Sequence, residues 1–526
     1  MRLTDTGLRE DKDRYISRGY DLPRFDRDMI RSNTKDRPEW IHFGAGNIFR
    51  AFQGNLMQRL LNDGIVDTGI VVCEGYDYEI IEKMYRPHDN LSILATLKAD
   101  GTADKTVIGS IVESLILDRE STEDFARLKE IFASPSLKMA SFTITEKGYV
   151  VRDANGELLP AVIADLEAGP EGAQSYVGKV ASLLYERYTH GALPIAMVSM
   201  DNCSHNGDKL QSAIMTFAEG WEERGRCESG FRTYASAPDK VSYPWSMIDK
   251  ITPRPDAQIE AILNSDGIEG LEPVITSKKT YVAPFVNAEE TEYLVIEDSF
   301  PNGKLPLDRV GVIYTERITV DKVEKMKVCT CLNPLHTALA IFGCLLGYKT
   351  IHDEMEDEDL RQLVYSLGYD EGMKTVVDPG VMKPSEFLET VLTRRLPNPF
   401  MPDTPQRIAC DTSQKLPIRF GETIKAYRSR EDLSTDDLKL IPLVLAGYLR
   451  YLRGTDDNGS PMELSPDPLL EELTALTPEE VLHRTEVFGT DLFEDDLGDR
   501  VLDIYRELNA GPGSVRNSLR KRNLVK

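Results

Sequence analysis

The stretch Trp40-Ile41-His42-Phe43-Gly44-Ala45-Gly46-Asn47 constrains the fold more than any other. A short apolar run enters two closely spaced glycines. It leaves into an amphipathic segment, Ile48 to Asn62, with Phe49, Phe52, Leu56, Leu60 and Leu61 on one face. A strand that passes through a glycine turn into a helix opens a βαβ unit. Gly44 permits the tight turn, and Gly46 lets the backbone approach a pyrophosphate whose charge the helix N-terminus favours. The third glycine of the dinucleotide pattern is missing, and Phe49 stands in its place. Gly44, Gly46, Asn47, Ile48 and Phe49 are therefore candidate cofactor-binding residues. An ordinary strand-to-helix turn is the competing reading.

A second strand, Ile70 to Cys73, follows, and Glu74 ends it. A carboxylate there can bind ribose hydroxyls and would repel a 2′-phosphate, so NAD is expected over NADP. Asp77 is the alternative. Further strands are expected at Ala140 to Thr145 and Ile195 to Met200, interleaved with helices. That alternation implies a mostly parallel sheet. Ser242 to Ile313 is richer in Pro and Gly and holds a short β-like run, Tyr293 to Ile296. From about Asp321 helical periodicity dominates: Pro334 to Tyr348, Leu360 to Gly368, Ser385 to Arg395 and Leu438 to Arg453. The expected organisation is a Rossmann-like α/β domain over residues 1–315, followed by an all-α domain over 316–526.

At 526 residues, two or three domains are expected. The net charge of −25 argues against a nucleic-acid partner, which needs clustered cations. The basic end, Arg516 to Lys526, reads as a solvated helix end. The N-terminus is charged throughout and lacks an apolar core, so no secretory signal is read. The longest apolar run, Ala338 to Tyr348, is about half a membrane span. A cytoplasmic location, no membrane association and a monomer are the expectations. The seven cysteines show no CxxC pair, so reduced thiols and no metal site are expected.

The segment from Val323 to His336 carries the chemistry. Asn333-Pro334 reads as the N-cap and first residue of a helix, with His336 one turn on. The helix that follows is apolar nearly all round and so is buried. A capping Asn and a satisfied core His would explain these residues alone. A partly desolvated Lys among them could instead accept a proton. An Asn amide could donate to a developing alkoxide.

The pattern Glu324-x-x-Lys327…Leu332-Asn333-x-x-His336 resembles the polyol-specific long-chain (mannitol) dehydrogenase family. Phe43 to Ala51, Thr143 to Tyr149, Asp201-Asn202…Asn206-Gly207, Ile248 to Pro253, Val295 to Asp298, Asn398-Pro399…Asp403…Arg407 and Lys415-Leu416-Pro417 fit in order, so the resemblance covers most of the chain. It implies a Rossmann-like domain, an α-helical domain and metal-independent hydride transfer. It also implies that Lys327 is the general base, that Asn333 and Asn202 donate to the oxyanion, and that His336 contacts the substrate and the lysine. Glu324 becomes a proton-path residue, Asp249 a residue near the substrate, and Arg407 and Lys415 substrate-binding cations. By itself Asp201-Asn202 reads as a turn, and His205 as a loop residue.

One departure concerns the base. The family commonly spaces its Lys five residues before the Asn, whereas Lys327 lies six before Asn333. A one-residue insertion between Val328 and Leu332 is expected, absorbed as a bulge, with Lys325 as the weaker candidate. The wording Cys329 to Thr337 most resembles the branch that handles hexonates, whose carboxylate Arg407 and Lys415 could clamp. A small hexonate or hexuronate is thus the expected substrate. A polyol, a different hexuronate, or a catalytically silent nucleotide-binding protein are the other readings.

Overall fold

In the computed structural model, which describes residues 1–523, four expected strands lie in one parallel sheet with two that the sequence did not single out, Ile111–Ile116 and Val241–Ser242. Lys526 of the basic end lies outside the described residues. The strands are β1 (Trp40–Phe43), β2 (Ile70–Glu74), β3 (Ile111–Ile116), β4 (Met139–Phe142), β5 (Ile195–Ser199) and β6 (Val241–Ser242). Their spatial order is β3-β2-β1-β4-β5-β6, and every pair is parallel. This is the doubly wound order of dinucleotide-binding domains, with its switch point between β1 and β4.

The register explains why β1 is apolar on both sides. Alternate residues point to opposite faces. Ile41 and Phe43 join one layer with Phe132, Phe142 and Trp221, while Trp40 joins the other with Phe49, Phe52 and Leu56. The Phe43 and Phe142 rings stack across the β1–β4 pair at 5.0 Å. Covering both faces is what a parallel sheet requires.

The strand expected at Ala140 to Thr145 stops at Phe142. The amides of Ile144 and Thr145 leave the ladder and donate to the Asp201 carboxylate, at 3.0 and 2.8 Å. The helix expected from Ile48 begins as a wide π turn, Phe49–Gln53, and becomes α-helical over Gly54–Asn62. A three-stranded sheet, Ser246–Asp249, Tyr293–Glu297 and Ile313–Thr315, contains the expected β-like run.

The chain divides into two compact units. The first comprises Met1–Leu97 and Thr102–Asp321, and the second runs from Lys322 onward and includes Lys98–Gly101. The second unit is helical around a central helix, Asn333–Leu346. Its Leu335, Leu339, Ile341, Phe342 and Leu345 are all buried. The apolar helix Leu440–Tyr451 packs against it. A Cβ at Gly447 would come within 2.8 Å of the Phe342 ring, so glycine sets the closeness of that crossing.

The helical run Arg317–Leu346 is long and apolar enough to cross a membrane by length and composition. Most of its apolar window is buried within the protein, and it is broken at Leu332, so it reads as a core element. The seven cysteines are all free thiols among the described residues.

Candidate active site

The first unit holds a cavity of about 640 Å³ at the C-terminal ends of β1, β2 and β4. Gly44, Gly46, Glu74, Asp77, Thr143 and Thr145 are among its lining residues. Gly44 has φ +107°, and a Cβ there would collide with the Thr143 carbonyl oxygen. A Cβ at Gly46 would meet no protein atom within 4 Å. The turn thus leaves open backbone where a pyrophosphate would approach. Phe49, at the third glycine's position, is buried and stacks on His42 at 4.2 Å. His42 is locked between Ser141 Oγ (2.6 Å) and Thr143 Oγ1 (2.8 Å), and burial pushes its pKa down to about 3.

Glu74 braces this turn. Its Oε2 accepts from the Ala45 amide at 2.8 Å, and its Oε1 from the amides of Gly75, Tyr76 and Asp77 at 2.8–3.2 Å. Burial raises the pKa of this carboxyl above the usual range, and the four amides pull the other way. Asp77, the alternative, is also buried. Its Oδ2 accepts from Thr276 Oγ1 at 2.6 Å, while Oδ1 has no partner among the described residues. Two carboxylates therefore line the cavity beyond β2, where ribose hydroxyls would bind. Arg50, which the sequence did not single out, orients Asn47. Its Nη2 donates to Asn47 Oδ1 at 2.9 Å and its Nη1 to the Ala283 carbonyl at 2.7 Å.

Asp201, just past β5, holds the loop over the cavity. Besides the Ile144 and Thr145 amides it accepts from the Tyr149 hydroxyl at 2.5 Å. Burial raises its pKa, against those three donors. Asn206 joins the loop carrying Asn202 to the strand carrying Asp249. Its Nδ2 donates to the carbonyls of Asp201 and Ser246, both at 3.0 Å, and its Oδ1 accepts from the Ser246 amide. Asn202 is exposed and Asp249 buried at the strand's end. Neither Asp201 nor Asn206 was a candidate, because tethers between distant loops have no local signature. His205 lies in a loop, as expected, stacked on Trp245.

In the second unit the segment where an inserted residue was expected forms a π turn, Met326–Cys331. Insertion of one residue into an α-helix produces this widening, which is frequent at functional sites. Lys327 is buried on it, whereas Lys325 is exposed and Glu324 half-buried. The expected N-cap is corrected. Leu332 takes the cap position, and Asn333 is the first helical residue. The reason is that the Leu332 amide still belongs to the π turn, so the next helix starts one residue early. The Asn333 side-chain amide has no hydrogen-bond partner among the described residues, so it is not committed to capping.

His336 projects from the same turn. Its Nε2 is 3.5 Å from Asp403 Oδ2, without hydrogen-bond geometry. Burial pushes its pKa down to about 3, helped by the charges of Arg419, Arg407, Arg395 and Lys415, so the ring is neutral at physiological pH. Arg407 pairs with the same Asp403 carboxylate, and its side chain is 62 % exposed. Lys415 donates to the carbonyls of Ile408 (3.1 Å) and Cys410 (2.5 Å), and burial lowers its pKa. Arg419, another residue the sequence did not single out, donates to Thr337 Oγ1 and lies 3.5 Å from the Asn333 carbonyl. The structure thus gathers Asn333, His336, Arg407 and Lys415 around one helix start and adds Asp403 and Arg419 to them.

A glycine turn at a cavity beside the switch point of a 3-2-1-4-5-6 sheet defines a dinucleotide-dependent oxidoreductase domain. Comparison with known proteins agrees. Residues 38–309 match the mannitol dehydrogenase Rossmann domain, and residues 319–508 match the mannitol dehydrogenase C-terminal domain. The chain belongs to the mannitol dehydrogenase family, whose members are NAD(P)-dependent oxidoreductases of polyols and sugar acids. It is 52 % identical to the D-mannonate oxidoreductase of Thermotoga maritima over 94 % of both chains. Among solved structures it resembles the Pseudomonas fluorescens mannitol 2-dehydrogenase ternary complex with NAD and D-mannitol, with TM-score 0.71, 26 % identity and all of both chains covered. It also resembles a D-sorbitol dehydrogenase in substrate-free form, with TM-score 0.80, 25 % identity, and 95 % of this chain and 97 % of that one covered.

Proposed function

We propose that this protein interconverts D-mannonate and D-fructuronate with NAD as its cofactor, in the catabolism of hexuronates in the cytoplasm. The observation that carries the substrate is the 52 % identity, over nearly the whole of both chains, to a D-mannonate oxidoreductase. The choice of NAD rests on Glu74 and Asp77, buried carboxylates that line the cavity and would repel a 2′-phosphate. Gly44, Gly46, Asn47, Ile48 and Phe49 form or follow the turn that would hold the pyrophosphate. The bound nicotinamide supplies the acceptor for the hydride.

Each residue's part follows from its chemistry. Lys327 takes the proton from the substrate hydroxyl. Its burial on the π turn supports this choice over exposed Lys325. Glu324, half-buried one helical turn before it, passes that proton toward solvent. The Asn333 amide donates to the alkoxide-like oxygen, a contribution of about 3–4 kcal/mol for one such donor. Asn202 is assigned the same role and Asp249 a substrate contact, both by family resemblance. His336 enters as a neutral imidazole and so contributes a hydrogen bond rather than a charge. Arg407 and Lys415 are assigned to the substrate by family resemblance.

The test is a set of initial rates with D-fructuronate, D-tagaturonate and D-fructose, each with NADH and with NADPH. Fast turnover of fructuronate with NADH is the expected result. Preference for tagaturonate or fructose would reassign the substrate, and preference for NADPH would remove Glu74 and Asp77 as the selecting groups.

A further inference from the structure

We propose that Arg419, together with Lys415, is the anchor for the carboxylate of a sugar-acid substrate, in place of the Arg407–Lys415 pair that sequence resemblance suggests. The inference rests on the sugar-acid reading above and specifies which groups read the acid.

Four cations act on His336 at the start of the Asn333–Leu346 helix, Arg395, Arg407, Lys415 and Arg419, and the partners of the last three differ. The charge of Arg407 is already matched by Asp403, and its guanidinium is largely in solvent. Arg419 and Lys415 meet no carboxylate within ion-pair distance among the described residues. Lys415 rests on two backbone carbonyls, and the charge of Asp411 acts on it from beyond ion-pair distance. Arg419 engages one nitrogen only, Nη1, with a hydroxyl and a carbonyl.

Arg187 shows what a purely structural arginine looks like in this fold. Its Nε, Nη1 and Nη2 all donate, and they reach five backbone carbonyls. Arg419 instead leaves the Nε–Nη2 edge without a partner among the described residues, and that edge matches a carboxylate in bidentate fashion. A half-buried cation without a counter-ion is unfavourable unless a ligand supplies the negative charge. In a chain of net charge −25, two such cations beside the Asn333 and His336 turn form a local positive site fitted to a small anion. Arg419 lies 3.5 Å from the Asn333 carbonyl, so an acid held there is held at the same helix start that carries the proposed oxyanion donor.

The test compares Arg419→Met and Arg419→Lys with wild type for reduction of D-fructuronate and of the neutral ketose D-fructose. The readout is the ratio of the two kcat/KM values. We expect that ratio to fall about thirtyfold or more in Arg419→Met, mainly through KM for fructuronate. Arg419→Lys, which keeps the charge but loses the fork, should recover part of it. A ratio within about threefold of wild type in Arg419→Met would overturn the anchor while leaving the substrate assignment intact. If wild type reduces fructose but not fructuronate, the substrate assignment fails instead. The anchor is then judged by D-mannonate as a competitive inhibitor of fructose reduction. Inhibition weakened about thirtyfold by Arg419→Met supports it, and inhibition absent or unchanged overturns it.

Discussion

The Leu332 amide donates to the Lys327 carbonyl at 3.1 Å, five residues back along the chain. That wide turn lies between Lys327 and Asn333, where the sequence reading expects an inserted residue. If it keeps Lys327 in the role of base, Lys327→Met should lower kcat by about a thousandfold. The affinity for NADH, followed by fluorescence titration, should stay within about threefold. Lys325→Met should leave kcat within about threefold. Equal losses in both variants would show that the helix, rather than the ammonium, is what matters.

Gly44 offers a test of the nucleotide turn. Ala at this position must adopt φ +107° and collides with the Thr143 carbonyl. Gly44→Ala should destabilise the first unit by about 1–3 kcal/mol, measured by urea unfolding, and should weaken NADH binding. Gly46→Ala meets no protein atom, so it should leave stability nearly unchanged while still weakening NADH binding.

His336 gives the protein an acid-sensitive term. Its folded-state pKa, about 3, lies below its ordinary 6.5. Above pH 6.5 the ring is neutral in both states, so its contribution is fully present. Between 6.5 and about 3 only the unfolded chain takes up the proton, and stability is lost as pH falls. His336→Gln should remove this dependence, gaining on wild type by up to about 1.4 kcal/mol per pH unit across that window. Parallel unfolding curves at pH 7 and pH 5 would contradict it.

Glu354 acts in the opposite direction. Both of its carboxyl oxygens are buried without hydrogen-bond partners among the described residues, next to Gly343 of the central helix. Burial, together with the charges of Asp353 and Asp357, raises its pKa well above the usual carboxylate range. The folded protein favours the neutral acid, so its contribution is fully present below about pH 4.5 and is lost as pH rises. Glu354→Gln should therefore melt at a higher temperature than wild type at pH 8, and the gap should narrow toward pH 5.

What the sequence revealed follows from which interactions are local. The β1 strand, Trp40–Phe43, was legible to the residue, because an apolar run ending in Gly-x-Gly admits few other conformations. The β4 strand was read too long, since its end is set by Asp201, 57 residues away from Ile144. Asn333 looked like a cap because Asn-Pro is a strong helix start, but the preceding π turn displaced the cap to Leu332. A π turn leaves almost no trace in hydrophobic periodicity. Here it was visible only as one residue too many between Lys327 and Asn333. Arg419 was invisible for a different reason. Its importance lies in which partners it lacks, and only the positions of Asp403 and Thr337 show that.

The most direct test of the proposed activity is to identify the product. The full chain is incubated with D-mannonate and NAD, the NADH formed is counted, and the sugar is examined by carbon NMR. One NADH should appear for each D-fructuronate, whose ketone is at C5, and D-mannitol should be oxidised far more slowly. Faster oxidation of mannitol, or a ketone at another carbon, would contradict the assignment.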